Sequence, residues 1–193
     1  KTNKQEENWK SFEDVKKIVD EKYTKVKALL NMKELSTDEY KKIQDFIILA
    51  LTSGVYIPPR RSMDWIDMRL KNVDKEKDNY IDKNEFVFNK YKTAKFYQQQ
   101  KVVIPKALKT ILNKFLKLNK HEYLLTDDKG NKMTNVRLNQ KLNKIFDGAI
   151  STSMLRHIYL TNELKDVPAL EKLEQMATDM GHSVKEALEY VKH

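Results

Sequence analysis

The chain has 193 residues, and its 37 lysines and arginines outnumber its 28 acidic residues, which gives a formal net charge of +9. This length suits one domain with a sizeable core, and the positive excess favours a polyanionic partner such as nucleic acid. The absence of cysteine excludes disulfides and thiolate metal sites. The longest apolar run, 46–51, is too short to cross a bilayer. The polar residues 1–8 contain no signal-peptide core, so we expect an intracellular protein that is neither secreted nor bound to a membrane.

The N-terminal third is predicted to be helical. Apolar residues at helical spacing predict a first helix over about residues 9–30. The segment Ser36–Glu39 has the pattern of a capping box, so a second helix should begin there and end near Gly54. Because prolines 58 and 59 forbid helix, another short helix is expected within residues 60–67.

The middle of the chain predicts a sheet. Three short segments are rich in β-branched and aromatic residues, and they predict a three-stranded antiparallel sheet over 79–81, 85–89 and 101–104. The polar segment 90–100 should form a hairpin tip between the last two strands. The expected fold class is α+β, a mainly helical domain with this small sheet.

Helical periodicity returns after the sheet. It predicts four helices, over residues 105–118, 134–147, 152–164 and 168–180. Gly181 is a plausible stop for the fourth, and Ser183–Glu186 has the pattern of a second capping box that begins a last helix.

The C-terminal quarter carries the residues that point to a function. Arg156 is followed by His157, His182 stands between a glycine and a serine, and Tyr190 follows His182 by eight residues. This order resembles the tyrosine recombinases, or integrase family. That family carries an arginine in a His-x-x-Arg-His segment, a Gly-His-Ser near a helix end, and a nucleophilic tyrosine about two turns later.

Two further family residues should lie upstream. The family has an arginine after a glycine-containing helix end, three residues before an acidic residue, and Arg61 has this spacing to Asp64. Four extra residues after Gly54 depart from the commoner Gly-Leu-Arg pattern. They leave Arg60 as an alternative, although we favour Arg61.

The second upstream residue is a lysine on a β-hairpin tip. Lys92 follows the predicted strand 85–89 and takes that role, with Lys90 and Lys95 as rivals. The order of arginine, lysine, arginine, histidine and tyrosine found in the family is then preserved over nearly the whole chain from about residue 36.

One position departs from the family pattern. The family usually has a histidine three residues before the second arginine, and this chain has Ser153. A serine can hydrogen-bond a phosphate oxygen but cannot act as a base near neutral pH. Arg60 and His157 are further possible phosphate contacts, although His157 is expected more strongly to pack behind the phosphate site.

The resemblance implies a catalytic domain over residues 9–193, preceded by a linker remnant at 1–8, from a virus or mobile element. The residues that it implies to be catalytic are Arg61, Lys92, Arg156, His182 and Tyr190. The implied reaction cleaves and rejoins DNA through a 3′-phosphotyrosyl intermediate, in site-specific recombination or integration. The implied partner is double-stranded DNA, bound as a homotetramer by a protein that is monomeric alone.

The chemistry explains why these residue types are needed. Two guanidiniums can clamp the phosphate oxygens with paired hydrogen bonds, and His182 can donate another. A phenol with a pKa near 10 is a poor nucleophile at pH 7, and nearby cations favour its phenolate. Lysine can protonate the departing 5′-oxygen. Because the phosphotyrosine keeps the bond energy, rejoining should need no cofactor and no metal.

Three alternatives stay open. A type IB topoisomerase uses a similar set of residues to relax supercoils, and Ser153 leaves room for a DNA-binding relative without catalysis. The segment Asp74–Glu85 also has much of the pattern of a calcium-binding EF-hand loop. Its sixth position, however, is Asn79 rather than glycine, and its flanks predict strand, so we favour a solvated turn.

Overall fold

The computed structural model describes residues 7–166, 169–181, 183 and 185 of the chain. The chain divides into two compact units, residues 1–159 and residues 160–193. None of the described helices is both long and apolar enough to cross a membrane.

The first helix, α1, spans Phe12–Val26 and is shorter than the predicted 9–30. Ser11 caps its N-terminus, because the Ser11 hydroxyl accepts from the Asp14 backbone while the Asp14 carboxylate accepts from Ser11 N. This reciprocal pair fixes the first turn after Trp9. Beyond α1 the backbone tightens into a 3-10 turn at Leu29–Asn31, a common way for the end of a helix to close.

The second helix, α2, spans Thr37–Thr52 and confirms the prediction. Glu39 N donates to the Ser36 hydroxyl at 3.2 Å, and Ser36 N donates to a Glu39 carboxylate oxygen at 2.9 Å. Every residue from 46 to 52 is buried, so α2 is the central helix of the core. The chain leaves it through Gly54, whose φ of +81° is in the left-handed region that favours glycine.

The predicted short helix within residues 60–67 is also confirmed, as α3 over Ser62–Ile66. Its Trp65 is fully buried and meets two aromatic rings of the sheet edge-on, Phe86 at 4.9 Å and Phe88 at 5.4 Å between ring centroids. Aromatic burial of this kind fixes α3 on the sheet.

The sheet has four strands in the order β1 (Met68–Arg69), β2 (Asn79–Asp82), β3 (Glu85–Phe88) and β4 (Gln100–Val103). The last three are antiparallel neighbours, as predicted, whereas β1 pairs in parallel with β2. The three predicted antiparallel strands are therefore confirmed, and the prediction is wrong only in strand number, because it lacks the parallel strand β1. A strand of two residues is too short to show any alternation in sequence. The α+β fold class, mainly helical with a small sheet, is confirmed.

The connection between β3 and β4 is more than a hairpin tip, because it contains a short helix, α4, over Ala94–Tyr97. The predicted helices after the sheet are confirmed as α5 (Lys106–Leu118), α6 (Asn135–Phe146) and α7 (Thr152–Glu163). In the second unit the predicted helix 168–180 corresponds to α8 (Leu170–Asp179), and Gly181 follows it at φ +69°. Most of the predicted last helix lies outside the described residues.

Candidate functional site

The first unit brings together three arginines and one buried carboxylate, which we call the arginine cluster: Arg60, Arg61, Arg156 and Asp64. All three arginines act on Asp64 electrostatically. Burial raises the pKa of Asp64, and the hydrogen bond and charge of Arg60 oppose this rise, followed by the charges of Arg61 and Arg156. With three cations and one anion, the cluster has an excess of positive charge that suits an anionic ligand.

The two neighbouring arginines differ in their contacts. Arg60 Nε donates to Asp64 Oδ2 at 2.8 Å, and its Nη1 donates to Gln100 Oε1 at 3.0 Å. The Arg60 guanidinium also lies over the Phe88 ring, with Cζ 3.9 Å from the ring centroid. Two of its five N–H donors are thus bonded within the protein.

Arg61 has a different environment. It is the N-cap residue of α3, and its side chain is exposed. No hydrogen bond or ion pair of the Arg61 side chain is found among residues 7–166. Its positive charge acts on Arg156, whose pKa is lowered first by burial and then by Arg61, while Asp64 opposes the change. Arg61 and Arg156 thus repel each other electrostatically.

Arg156 is half-buried on α7, which is anchored by the buried side chains of Met154, Leu155 and Ile158. Ser153 lies one turn earlier and is exposed. The two residues share a helix face because side chains three positions apart are neighbours on a helix. His157 is exposed, and the described part of the chain shows no packing role for it.

A run of hydrogen bonds connects the two helices that carry Arg61 and Arg156. The hydroxyl of Ser62, in α3, bonds to Asn135 Oδ1 at the start of α6. Asn139 Nδ2 donates to the same oxygen at 3.0 Å, and Asn139 Oδ1 accepts from Thr152 N, the first residue of α7, at 3.0 Å. Helix α6 therefore holds the starts of α3 and α7 in a fixed relation.

The predicted lysine lies in the turn between β3 and α4. Lys92 is exposed there, as are its rivals Lys90 and Lys95. None of their three ammonium groups forms an ion pair with another described residue. The structure thus leaves all three able to reach a ligand, and the choice of Lys92 stays a prediction.

A buried asparagine ties this turn to the arginine cluster. Asn79 is fully buried, and its Nδ2 donates to Asp64 O at 3.1 Å and to Lys90 O at 2.8 Å. Its Oδ1 accepts from Asn89 N at 2.9 Å and from Lys90 N at 2.7 Å. The sequence predicts Asn79 as the start of a strand and as the sixth position of the calcium-like segment, but does not predict this linking role. One sequence signal was available for this role. Asparagine is unfavourable in strands, yet Asn79 stands at the first position of an apolar strand.

The acidic residues of Asp74–Glu85, which resemble a calcium-binding loop, have a structural role in a turn. The segment is a turn followed by β2 and β3, without flanking helices. Asp78 Oδ2 accepts from Asp74 N at 2.8 Å, and Asp74 Oδ1 accepts from Glu76 N at 3.0 Å. These carboxylates thus close a turn, and no group of three or more possible metal ligands occurs in the described part of the chain.

Two of the five predicted catalytic residues, His182 and Tyr190, lie outside the described residues. The chain matches no protein-family model, and no curated protein is similar to it. The function is therefore argued from the residues themselves, and above all from the arginine cluster.

Proposed function

We propose that this protein cleaves and rejoins DNA by the reaction of the tyrosine recombinases, with Tyr190 as nucleophile. The observation that carries the proposal is the pairing of Arg61 with Arg156, which are 95 positions apart in the chain and interact in the structure. Two guanidiniums that repel each other, one exposed and one half-buried, are both stabilised by a phosphate that contacts them.

The charge balance supports a phosphate ligand. Asp64, the carboxylate of the cluster, is hydrogen-bonded to Arg60 at 2.8 Å, so the charges of Arg61 and Arg156 are only partly compensated. Burial is the main cause that lowers the pKa of Arg156, which means that its guanidinium has lost part of its hydration. A phosphodiester would replace those lost contacts and remove the repulsion.

In the proposed reaction Tyr190 loses its phenol proton to solvent, helped by the nearby cations. The phenolate oxygen then attacks phosphorus, and the bond from phosphorus to the 5′-oxygen breaks. Arg61 and Arg156 stabilise the negative charge on the non-bridging oxygens, and His182 donates a further hydrogen bond. Lys92 gives a proton to the leaving 5′-oxygen. The product is a 3′-phosphotyrosyl bond, from which a 5′-hydroxyl of DNA displaces Tyr190 in the reverse reaction.

The proposed partner is double-stranded DNA, and the proposed assembly is a homotetramer on that DNA. The biological role is recombination or integration of the DNA of a virus or mobile element inside a cell, without a cofactor. Ser153, in place of the usual histidine, favours one competing function, that of a DNA-binding protein that has lost catalysis.

A DNA substrate that traps covalent adducts tests the proposal. We expect the 193-residue chain to form an adduct that maps to Tyr190 by mass spectrometry, and Tyr190→Phe to abolish it while DNA binding remains. The exposed Tyr97 is a matched control, and Tyr97→Phe should still form the adduct.

The other possible outcomes of this experiment distinguish the alternative functions. DNA binding without any adduct supports the inactive relative, and an adduct on a different tyrosine rejects Tyr190 as nucleophile. Relaxation of supercoiled DNA without strand exchange between duplexes supports the topoisomerase.

A further inference from the structure

We infer that Arg60 is a positioning residue, which holds the turn that carries Lys92 against the helix that begins beside Arg61. The inference rests on the proposed function for its catalytic consequence. The position of Arg60 next to Arg61 in the sequence suggests that it binds phosphate. The inference gives Arg60 a different role.

The contacts of Arg60 join two parts of the first unit. On one side its guanidinium is hydrogen-bonded to Asp64 of α3 at 2.8 Å. On the other side it reaches Gln100, the first residue of β4, at 3.0 Å, and covers the Phe88 ring at the end of β3. Phe88 and Gln100 are paired across the sheet, and they enclose the connection that contains Lys92.

The same guanidinium also lies near the connection itself. Its Cζ is 5.2 Å from the ring centroid of Tyr91, the residue before Lys92. The Tyr91 hydroxyl bonds to Gln98 O, which closes the connection on itself. Arg60 thus lies under the turn, so the backbone at Lys92 is supported from the side of α3.

These contacts leave Arg60 poorly suited to clamp a phosphate. Its side chain is only 19% exposed, and it is already paired with the carboxylate of Asp64. Two of its five N–H donors, on Nε and Nη1, are bonded to Asp64 and Gln100, so fewer pairs of parallel donors remain for a phosphate. Arg61 is exposed, and no hydrogen bond or ion pair links its side chain to another residue within 7–166.

The inference predicts which chemical step fails when Arg60 is removed. A turn released from α3 misplaces the lysine, so protonation of the leaving oxygen suffers while the Arg61 and Arg156 contacts remain. A displacement of about 1 Å can cost about 100-fold in rate. The loss should disappear on DNA with sulfur in place of the bridging 5′-oxygen, because that leaving group hardly needs a proton.

The experiment compares single-turnover cleavage of normal and sulfur-substituted DNA by four variants, Arg60→Ala, Gln100→Ala, Lys92→Ala and Arg156→Ala. We expect Arg60→Ala to be slower by about 10- to 100-fold on normal DNA and near the wild-type rate on the sulfur substrate, as for Lys92→Ala. Gln100→Ala removes a single hydrogen bond and should show a smaller loss of the same kind. Arg156→Ala should be slow on both substrates.

Arg69→Ala is the matched control. Like Arg60, Arg69 pairs with a carboxylate, Glu122, and lies over an aromatic ring, with Cζ 4.7 Å from the Tyr123 centroid. It does not contact the Lys92 connection among the described residues. Removal of the Arg69 side chain should alter the stability of the protein. It should not make the cleavage rate depend on whether the leaving atom is oxygen or sulfur.

A second measurement does not depend on catalysis. Amide hydrogen exchange at residues 90–97 should be faster in Arg60→Ala than in wild type, and unchanged in Arg69→Ala. Unchanged exchange in Arg60→Ala overturns the inference, as does a cleavage defect that sulfur does not relieve, which would make Arg60 a phosphate contact. Faster exchange in a protein that never cleaves DNA would instead reject the proposed function and keep the positioning role.

Discussion

The replacement of Asn79 by alanine tests the structure most directly, because it needs no assumption about function. The Asn79 side chain is fully buried and makes four hydrogen bonds, all with backbone groups. At about 1 kcal/mol each, their loss lowers the free energy of unfolding by about 4 kcal/mol. The backbone groups left behind are at Asp64, Asn89 and Lys90, so the loss falls where α3 meets the Lys92 turn.

The assay is urea denaturation followed by circular dichroism. Asn84→Ala is the control, since Asn84 is an exposed residue of the neighbouring turn between β2 and β3, and its replacement should change stability by less than about 0.5 kcal/mol. A loss below about 1.5 kcal/mol for Asn79→Ala would mean that water or a rearranged turn replaces the lost bonds. That result would refute the view that Asn79 ties the two segments together.

Three further predictions concern other parts of the protein. Ser36→Ala removes the cap of α2 and should lower stability by about 1 kcal/mol, or about 2–4 °C in Tm, measured calorimetrically; an unchanged Tm contradicts it. Burial raises the pKa of Tyr40 to about 12, so its contribution to stability is complete below pH 10 and is lost as the pH rises towards 12. Tyr40→Phe should therefore lose stability less steeply over that range, and equal slopes would contradict the assignment. Affinity for duplex DNA should fall at least about tenfold between 50 and 200 mM salt. Binding titrations that show no such fall would mean that the excess of lysine and arginine does not contact DNA phosphates.

The features of the fold that the sequence predicts well are those with local causes. The capping box at Ser36 depends on residues three positions apart, and the long amphipathic helices α5 and α6 show their periodicity directly. The features that escaped prediction depend on partners distant in the chain. The two residues of β1 become a strand only because β2 lies beside them, and a two-residue segment carries no pattern of its own.

The same distinction applies to the candidate site. Spacing alone selects Arg61 over Arg60 only weakly, because the residues are adjacent and chemically identical. What separates them is Gln100 and Phe88, which the sheet brings to Arg60 and not to Arg61. Asn139 likewise shows its role only after α6 has packed between α3 and α7, where its amide reaches Asn135 and Thr152.

The electrostatics of the arginine cluster explain why such supporting bonds are needed. The repulsion between Arg61 and Arg156 costs free energy, and the exposed Arg61 side chain is able to move away from Arg156 in the absence of ligand. The hydrogen bonds from Ser62 through Asn135 and Asn139 to Thr152 fix the backbone beneath both arginines, so the starts of α3 and α7 cannot separate. In the proposed reaction the phosphate then meets two arginines whose backbones are already held in place, and less reorganisation remains when charge develops on its oxygens.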